Sequence, residues 1–196
     1  MQKTAEFFFD VGSPAAYLAW TQMPALCAQA GAALVYRPML LGGVFQSTGN
    51  ASPMMVPAKG SYMAVDLGRF AQRYGVPFRI NPHFPINTLQ LMRAVVGIQL
   101  RHPQRFDAFL STVYAAMWDK GLNLNDPAVT AAMLLEADFD PAMVFALVND
   151  ADIKAALKAN TEEAVKRGAF GAPTVFVGDT MFFGQDRLDF VREALA

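Results

Sequence analysis

The most constraining feature of the sequence is a short aromatic run that leads directly into a helix start. Residues 7–9 are three phenylalanines, followed by Asp10, Gly12, Ser13 and Pro14. The run predicts a buried strand, Gly12 permits a tight turn, and serine before proline is typical of an N-cap and first helical position. A strand that ends at a helix N-terminus collects unpaired N–H groups and positive dipole. The sequence therefore predicts a corner beside Ser13 that suits a thiolate, carboxylate or oxyanion.

Composition limits the classes of partner that the chain can bind. Its 196 residues fit one domain, or one domain with a large insertion. Hydrophobic residues make up 54% and charged residues 17%, which favours a large apolar pocket or an oligomer interface. Sixteen basic and seventeen acidic residues give a net charge of -1, so we expect neither a nucleic-acid nor a membrane partner.

The single cysteine excludes several kinds of chemistry within this chain. Cys27 has no partner for an intramolecular disulfide, a CxxC redox pair or a cysteine-rich metal site. His83 and His102 lie far apart and lack metal-ligand spacing, so we expect no metal. No stretch resembles a signal-peptide core or a membrane span, and we therefore expect a cytoplasmic protein.

Periodicity predicts an α/β fold that is interrupted by a helical block. We expect a strand near the start, a helix over 14–30 broken or kinked at Pro24, and a second strand over 33–37. Residues 39–57 read as a loop or broken helix, and helices then dominate for about a hundred residues. A strand over 173–177, a hairpin strand and a last helix capped by Asp186 complete the chain. This order predicts a thioredoxin-like fold with a large all-helical insertion domain, divided into residues 1–45 with 168–196 and residues 46–167.

Two separated motifs resemble those of the 2-hydroxychromene-2-carboxylate isomerases, which belong with the kappa-class glutathione transferases among the DsbA-like thioredoxin folds. The resemblance runs the length of the chain in the right order. It rests on Phe9-Asp10, Ser13-Pro14, Tyr17-Leu18-Ala19, Gly42-Gly43, Gly49-Asn50, Lys59, residues 168–177 and residues 183–188.

The resemblance implies that glutathione supplies the reactive thiol. Where a disulfide oxidoreductase has cysteine, two residues and cysteine, this chain has Ser13-Pro14-Ala15-Ala16, so no thiol exchange can occur there. Ser13 is the implied catalytic residue: it would hydrogen-bond the glutathione sulfur while the helix N-terminus favours the thiolate. Reversible thiolate addition to an activated double bond would then permit isomerisation. From spacing alone, Ser13 is also an ordinary N-cap.

The second motif comprises residues 168–177 and 183–188, and the resemblance implies that four of its residues bind glutathione. Ala172-Pro173 is similar to the cis-proline segment of thioredoxin folds, which would place backbone N–H and C=O groups beside the cysteinyl part of glutathione. Gln185 and Asp186 resemble the family's site for the γ-glutamyl end. From sequence alone, the ordinary interpretations are a strand-start proline for Pro173 and the N-cap of the last helix for Asp186.

The family pattern also suggests roles for residues in the first half of the chain. Asn50 and Lys59 would reach the bound peptide or a substrate carboxylate, although a turn residue and a solvated charge are the ordinary interpretations. Phe45 and Phe84 stand where isomerases that handle chromene carboxylate tend to offer a basic residue and a tyrosyl hydroxyl. These two substitutions imply an apolar pocket for another aromatic or hydrophobic electrophile.

Three functions remain open from the sequence. The first is a glutathione-dependent cis-trans isomerase acting on a small hydrophobic or aromatic intermediate of aromatic-compound degradation. The second is a kappa-like glutathione transferase that makes stable conjugates, and the third is a non-catalytic thioredoxin-fold binding or chaperone module. The resemblance also implies a homodimer, which agrees with the high apolar content.

Overall fold

A computed structural model describes residues 2–196 as a mixed sheet surrounded by helices. The strands are β1 (Thr4–Phe9), β2 (Ala33–Pro38), β3 (Thr174–Val177) and β4 (Thr180–Phe183). The helices are α1 (Pro14–Gln29), α2 (Leu41–Thr48), α3 (Pro57–Tyr74), α4 (Leu89–Arg101), α5 (Phe106–Ala115), α6 (Pro127–Glu136), α7 (Pro141–Asn149), α8 (Ala151–Lys166) and α9 (Leu188–Leu195).

The sheet has the strand order β2-β1-β3-β4. Strands β1 and β2, which helix α1 connects, pair in parallel. Strand β3 pairs antiparallel with both β1 and β4. Helices α2 to α8 lie between β2 and β3 in the chain. The predicted α/β class, with a thioredoxin-like fold and a large helical insertion, is confirmed. None of the helices within residues 2–196 combines the length and apolar character needed to cross a membrane.

The aromatic run of β1 is fully buried because helices cover both faces of the sheet. Phe7 and Phe9 stack on one face with ring centroids 5.3 Å apart, and both rings lie against Tyr36. Phe8 points to the opposite face, where its ring meets Phe176 edge-on at 5.5 Å. Successive strand residues alternate between faces, so a continuous apolar run is what a strand covered on both sides requires.

Two local predictions offered alternatives, and the structure decides between them in part. Helix α1 runs through Pro24 as one helix, so the predicted division into two short helices is wrong; the exposed Pro24 ring displaces no core residue. Residues 39–57 follow the broken-helix alternative rather than the loop, because helix α2 over residues 41–48 is followed by a 3₁₀ turn, Pro53–Met55. The N-terminus of α2 is stabilised by Asp10, whose Oδ2 accepts a hydrogen bond from Leu41 N–H at 2.8 Å. A capping residue 31 positions away lies outside any local sequence pattern.

The division of the chain into two units stays a prediction. Helix α2 spans the predicted boundary at residue 45, and it packs against α8 of the helical block. Asp126 and Asp140 cap α6 and α7 through hydrogen bonds from the N–H groups of Ala128 and Ala142, as their Asp-Pro pairs indicate.

Candidate active site

Ser13 lies at the junction between β1 and α1, where one hydroxyl makes two hydrogen bonds. As the N-cap of α1, Ser13 Oγ accepts from Ala16 N–H at 3.1 Å. The same hydroxyl donates to the carbonyl oxygen of Ala172 at 2.9 Å, and the Ala172–Pro173 peptide bond is cis. Ser13 is only 4% exposed. The fold therefore joins two motifs that are 159 positions apart in the sequence.

A cavity of about 340 Å³ opens over this junction. Its wall combines the start of α1, the middle of α3, the loop after α2 and the turn that precedes α9. Of the residues that the sequence singled out, the wall includes Ser13, Phe45, Asn50, Phe84, Ala172, Gln185 and Asp186. Pro173 is buried behind the wall, and Lys59 is exposed in the first turn of α3 without lining the cavity.

Asp10 stabilises the β1–α1 corner through three hydrogen bonds, a role that was not predicted from the sequence. Its buried carboxylate accepts hydrogen bonds from Gly12 N–H at 2.8 Å, from Leu41 N–H at 2.8 Å and from the Thr88 hydroxyl at 3.0 Å. Burial raises the pKa of Asp10 above its ordinary value, and the three hydrogen bonds oppose this shift without cancelling it. Gly12 is needed because a Cβ there would lie 2.7 Å from Thr88 Cγ2.

In the second motif, the side-chain amide of Gln185 is positioned by a hydrogen bond from the Tyr74 hydroxyl. Gln185 is 5% exposed, and the Tyr74 hydroxyl lies 2.9 Å from its Oε1 and 3.0 Å from its backbone oxygen. Burial is the main reason that the pKa of Tyr74 is raised. Because Tyr74 occupies Oε1, the side-chain NH₂ of Gln185 is the group left to face a ligand in the cavity.

Asp186 does not cap the last helix, so that interpretation is wrong. Gly184 adopts a φ of 95° and begins a 3₁₀ turn over Gln185–Arg187, and the N-cap position of α9 falls on Arg187. The Asp186 carboxylate instead pairs with the Arg187 guanidinium, with Oδ1 and Nη1 2.7 Å apart. Both charges lie on the cavity wall.

Asn50 connects the loop after α2 to the segment that leads into the cis-proline. Its Nδ2 donates to the carbonyl oxygen of Phe170 at 2.8 Å, and its Oδ1 accepts from Ala51 N–H at 2.9 Å. Phe170 packs against Phe183 with ring centroids 4.5 Å apart. In this arrangement Asn50 orders the rim of the cavity, because its amide is already used by the protein.

Trp118 forms part of the cavity wall, and no sequence signal identified it. It lies in a π-helical turn, Ala116–Lys120, a kind of turn that is frequent at functional sites. Its Nε1 donates to the carbonyl oxygen of Val11 at 2.8 Å, which connects the helical block to the β1–α1 corner. The indole ring packs against Phe84 with ring centroids 6.1 Å apart. Trp118 and Phe84 therefore form an aromatic part of the wall.

The arrangement combines a polar corner with apolar walls. The corner offers the dipole of a 16-residue helix, one hydroxyl and the half-buried backbone of Ala172, which together suit a sulfur anion attached to a peptide. The apolar walls suit a hydrophobic second molecule. Within residues 2–196, no three His, Cys, Asp or Glu side chains cluster as metal ligands would.

Comparison with known proteins gives consistent matches over the whole chain. The family of DSBA-like thioredoxin domains matches residues 4–196. A 2-hydroxychromene-2-carboxylate isomerase from Sphingobium xenophagum is 30% identical over 198 residues, which cover 100% of this chain and 99% of that protein. Human glutathione S-transferase kappa 1 is 28% identical, with coverage of 100% and 92%. A solved 2-hydroxychromene-2-carboxylate isomerase structure superposes with a TM-score of 0.84 at 26% identity, covering 98% of this chain and 94% of the other.

Proposed function

Because the chain belongs to the DsbA-like thioredoxin domain family, together with the 2-hydroxychromene-2-carboxylate isomerases, we propose that it is a glutathione-dependent cis-trans isomerase. Its substrate would be a small aromatic or hydrophobic electrophile formed during aromatic-compound degradation. The observation that carries this proposal is the Ser13 hydroxyl at the N-terminus of α1, 2.9 Å from the carbonyl oxygen that precedes Pro173 and on the wall of a 340 Å³ cavity.

The residues at the corner fit the thiol end of glutathione. In its bound form glutathione would supply a thiolate that adds to an activated double bond and leaves again after rotation, with no net oxidation. Ser13 would turn its O–H from Ala172 toward the sulfur and donate to it. The N-terminal N–H groups and dipole of α1 would favour the anion over the thiol. Ala172 would then be free to hydrogen-bond the cysteinyl backbone.

The other end of the peptide would lie along the second motif. The Gln185 amide N–H₂ would donate to the γ-glutamyl carboxylate, and Asp186 would pair with the ammonium group. Asn50 would contribute indirectly, by ordering the rim of the cavity. Lys59 would reach the bound peptide only if the first turn of α3 moved toward the cavity. Phe45 and Phe84 would contact the electrophile.

The direct test replaces Ser13 and compares it with another N-cap. We expect Ser13→Ala to lower kcat at saturating glutathione by about 100-fold, the effect typical of losing one donor to a developing or resident anion. Loss of the cap should lower the free energy of unfolding by about 1 kcal/mol. Asp126→Ala removes the cap of α6, far from the cavity, so it should lower stability similarly while leaving kcat unchanged. Equal kcat in folded Ser13→Ala and wild-type protein would contradict the proposed role.

A second candidate is a kappa-like glutathione transferase, which the full-length match to human glutathione S-transferase kappa 1 favours. Chromatography of the products distinguishes the two: an isomerase returns the substrate skeleton in the other geometry, whereas a transferase accumulates a thioether conjugate. If calorimetry detects no glutathione binding, both enzyme proposals fail, and a non-catalytic binding or chaperone module becomes the better account.

The setting of the protein is also part of the proposal. We propose a cytoplasmic homodimer, since a reducing compartment supplies glutathione and leaves the single Cys27 unpaired. Three apolar side chains are exposed near the start of α3, Met55 in the 3₁₀ turn before the helix and Tyr62 and Val65 on the helix, and a second copy would cover them.

A further inference from the structure

The cavity wall carries little charge, and its charges are already paired. Among residues 2–196, the charged members of the wall are Asp66, Asp186 and Arg187. Asp66 Oδ1 lies 3.6 Å from the Arg69 guanidinium, which is outside the cavity. The other wall residues are neutral, and most are apolar; the large ones include Phe45, Met54, Met63, Ile80, Phe84 and Trp118.

Arg187 is the one cation on this described wall, and its guanidinium is engaged at the second motif. Its Nη1 lies 2.7 Å from Asp186 Oδ1 and donates to the carbonyl oxygen of Phe183 at 3.1 Å. A carboxylate in the aromatic part of the cavity would therefore have no free cation to pair with. Removing an anion from water without a partner is strongly unfavourable.

Bound glutathione would add to this deficit. This step rests on the proposed function: a glutathione thiolate carries two carboxylates and one ammonium, so it brings a net negative charge into a wall that already holds two carboxylates and one guanidinium. A second anion beside it would be repelled, and like charges brought together at a binding site are strong determinants of specificity. An uncharged substrate would meet no such repulsion, and it would not have to be taken out of water as an ion.

We propose that the cavity selects uncharged aromatic electrophiles and rejects those that carry a carboxylate. The isomerase relatives are named for a carboxylate substrate, and this chain would differ from them in preferring an uncharged one. Phe45, half-buried on the wall, is a specificity-determining residue, because an apolar ring occupies a position from which a basic side chain would reach into the cavity.

Binding of a matched pair of ligands to the protein saturated with glutathione tests this selection without any turnover, because glutathione would then occupy the anion-favouring corner beside Ser13. Cinnamamide and cinnamate have the same shape and differ in charge at neutral pH. Their affinities can be followed through the fluorescence of Trp118 in a Trp20→Phe variant, since Trp118 lines the cavity and Trp20 does not. We expect Kd for cinnamamide to be at least about tenfold lower, equivalent to about 1.4 kcal/mol. Equal or tighter binding of cinnamate, or no binding of either, would overturn the proposal.

Two variants at one position separate charge from polarity. Phe45→Lys should reduce the preference for cinnamamide by about tenfold, because the long lysine side chain can place its ammonium group in the cavity. Phe45→Gln introduces an uncharged polar side chain, and it should leave the preference for cinnamamide over cinnamate unchanged. If both variants shift the preference equally, or neither does while both stay folded, Phe45 is not the determinant and the charge argument fails at this position.

Turnover of a second pair distinguishes this inference from the proposed function. With glutathione present, we expect kcat/KM for cis-4-phenyl-3-buten-2-one to exceed that for cis-benzylidenepyruvate, its carboxylate counterpart, by at least about tenfold. If both enones isomerise and the pyruvate is equal or better, the inference is wrong and the proposed function stands. If cinnamamide is preferred in binding but neither enone reacts, the selection stands and the proposed function fails.

Discussion

At the scale of single residues, the site depends on groups that serve the fold and the chemistry together. Ser13 caps α1 and also contacts the residue before Pro173, so its local pattern is the same for a structural and a catalytic serine. Asp10, the residue after β1, is similar. Its carboxylate accepts hydrogen bonds from Gly12 N–H and from Leu41 N–H, and so stabilises the turn and the start of α2. Residues of this kind produce the geometry of the corner even before a ligand binds.

The raised pKa of Asp10 predicts a specific dependence of stability on pH. A carboxyl whose folded-state pKa lies above its unfolded value contributes fully below the ordinary value of 3.8, and its contribution falls as pH rises through the folded-state pKa. The free energy of unfolding can be measured by urea denaturation for wild type and for Asp10→Asn. We expect the wild-type value to fall relative to that of Asp10→Asn over that rise in pH.

Thr88 provides the control for this prediction. Thr88→Val removes a hydroxyl that donates to Asp10 and lowers its pKa, so the same pH dependence should move to higher pH. A difference between wild type and Asp10→Asn that stays constant from acid to neutral pH would show that the folded protein does not perturb this carboxyl.

Sequence reasoning found the residues with recognisable local patterns and missed those whose partners are distant. Ser13 and the cis-proline segment were identified because cap chemistry and family motifs mark them. Trp118 was missed because its position depends on a π-helical turn that no local pattern predicts. The pairing of Asp186 with Arg187 replaced the predicted N-cap because the chain enters a 3₁₀ turn at Gly184.

At the scale of elements, the strands and most helices follow their sequence patterns, and the exceptions have tertiary causes. The positions of the strands could be anticipated from the β-branched and aromatic runs, but α2 forms where glycine, serine and asparagine favour a loop. Asp10 supplies its cap, and the Thr161 hydroxyl of α8 accepts from the N–H of Leu40 at 2.9 Å. Contacts from distant elements therefore override local propensity at this helix.

The end of α8 is attached to the sheet by a half-buried arginine. Arg167 Nη1 lies 2.8 Å from Glu6 Oε1 of β1, and its Nη2 donates to the carbonyl oxygen of Gly178 in the β3–β4 turn at 3.1 Å. Its guanidinium also lies 3.9 Å from the centroid of the Phe176 ring. This one side chain thus connects the helical block to two strands.

Replacing this arginine should weaken the attachment measurably. We expect Arg167→Gln to lower the free energy of unfolding by about 1–2 kcal/mol, because an ion pair, a hydrogen bond and a cation–π contact are lost together. Arg192→Gln breaks the more exposed i,i+3 pair with Asp189, so its effect in the same denaturation assay should stay below about 0.5 kcal/mol. Equal effects would mean that the Arg167 contacts add no net stability.

At the scale of the whole molecule, the exposed apolar side chains near the start of α3 agree with association into a dimer. Met55 is 77% exposed and Tyr62 is 61% exposed, next to the turn that borders the cavity. Light scattering coupled to gel filtration should give twice the 21.4 kDa mass of the chain. Tyr62→Glu should shift the protein toward monomer, because it places a charge in the apolar contact. A monomeric wild type at micromolar concentration would contradict the homodimer.

We propose that the β1–α1 corner, through Ser13, stabilises the thiolate of bound glutathione. The most direct measurement is the ultraviolet absorbance of the thiolate as the saturated complex is titrated with base, in wild type and in Ser13→Ala. We predict that the thiol of bound glutathione has a pKa below that of free glutathione, and that Ser13→Ala raises it by about one unit, equivalent to about 1.4 kcal/mol. A bound thiol that titrates like free glutathione, or identically in both proteins, would contradict the account.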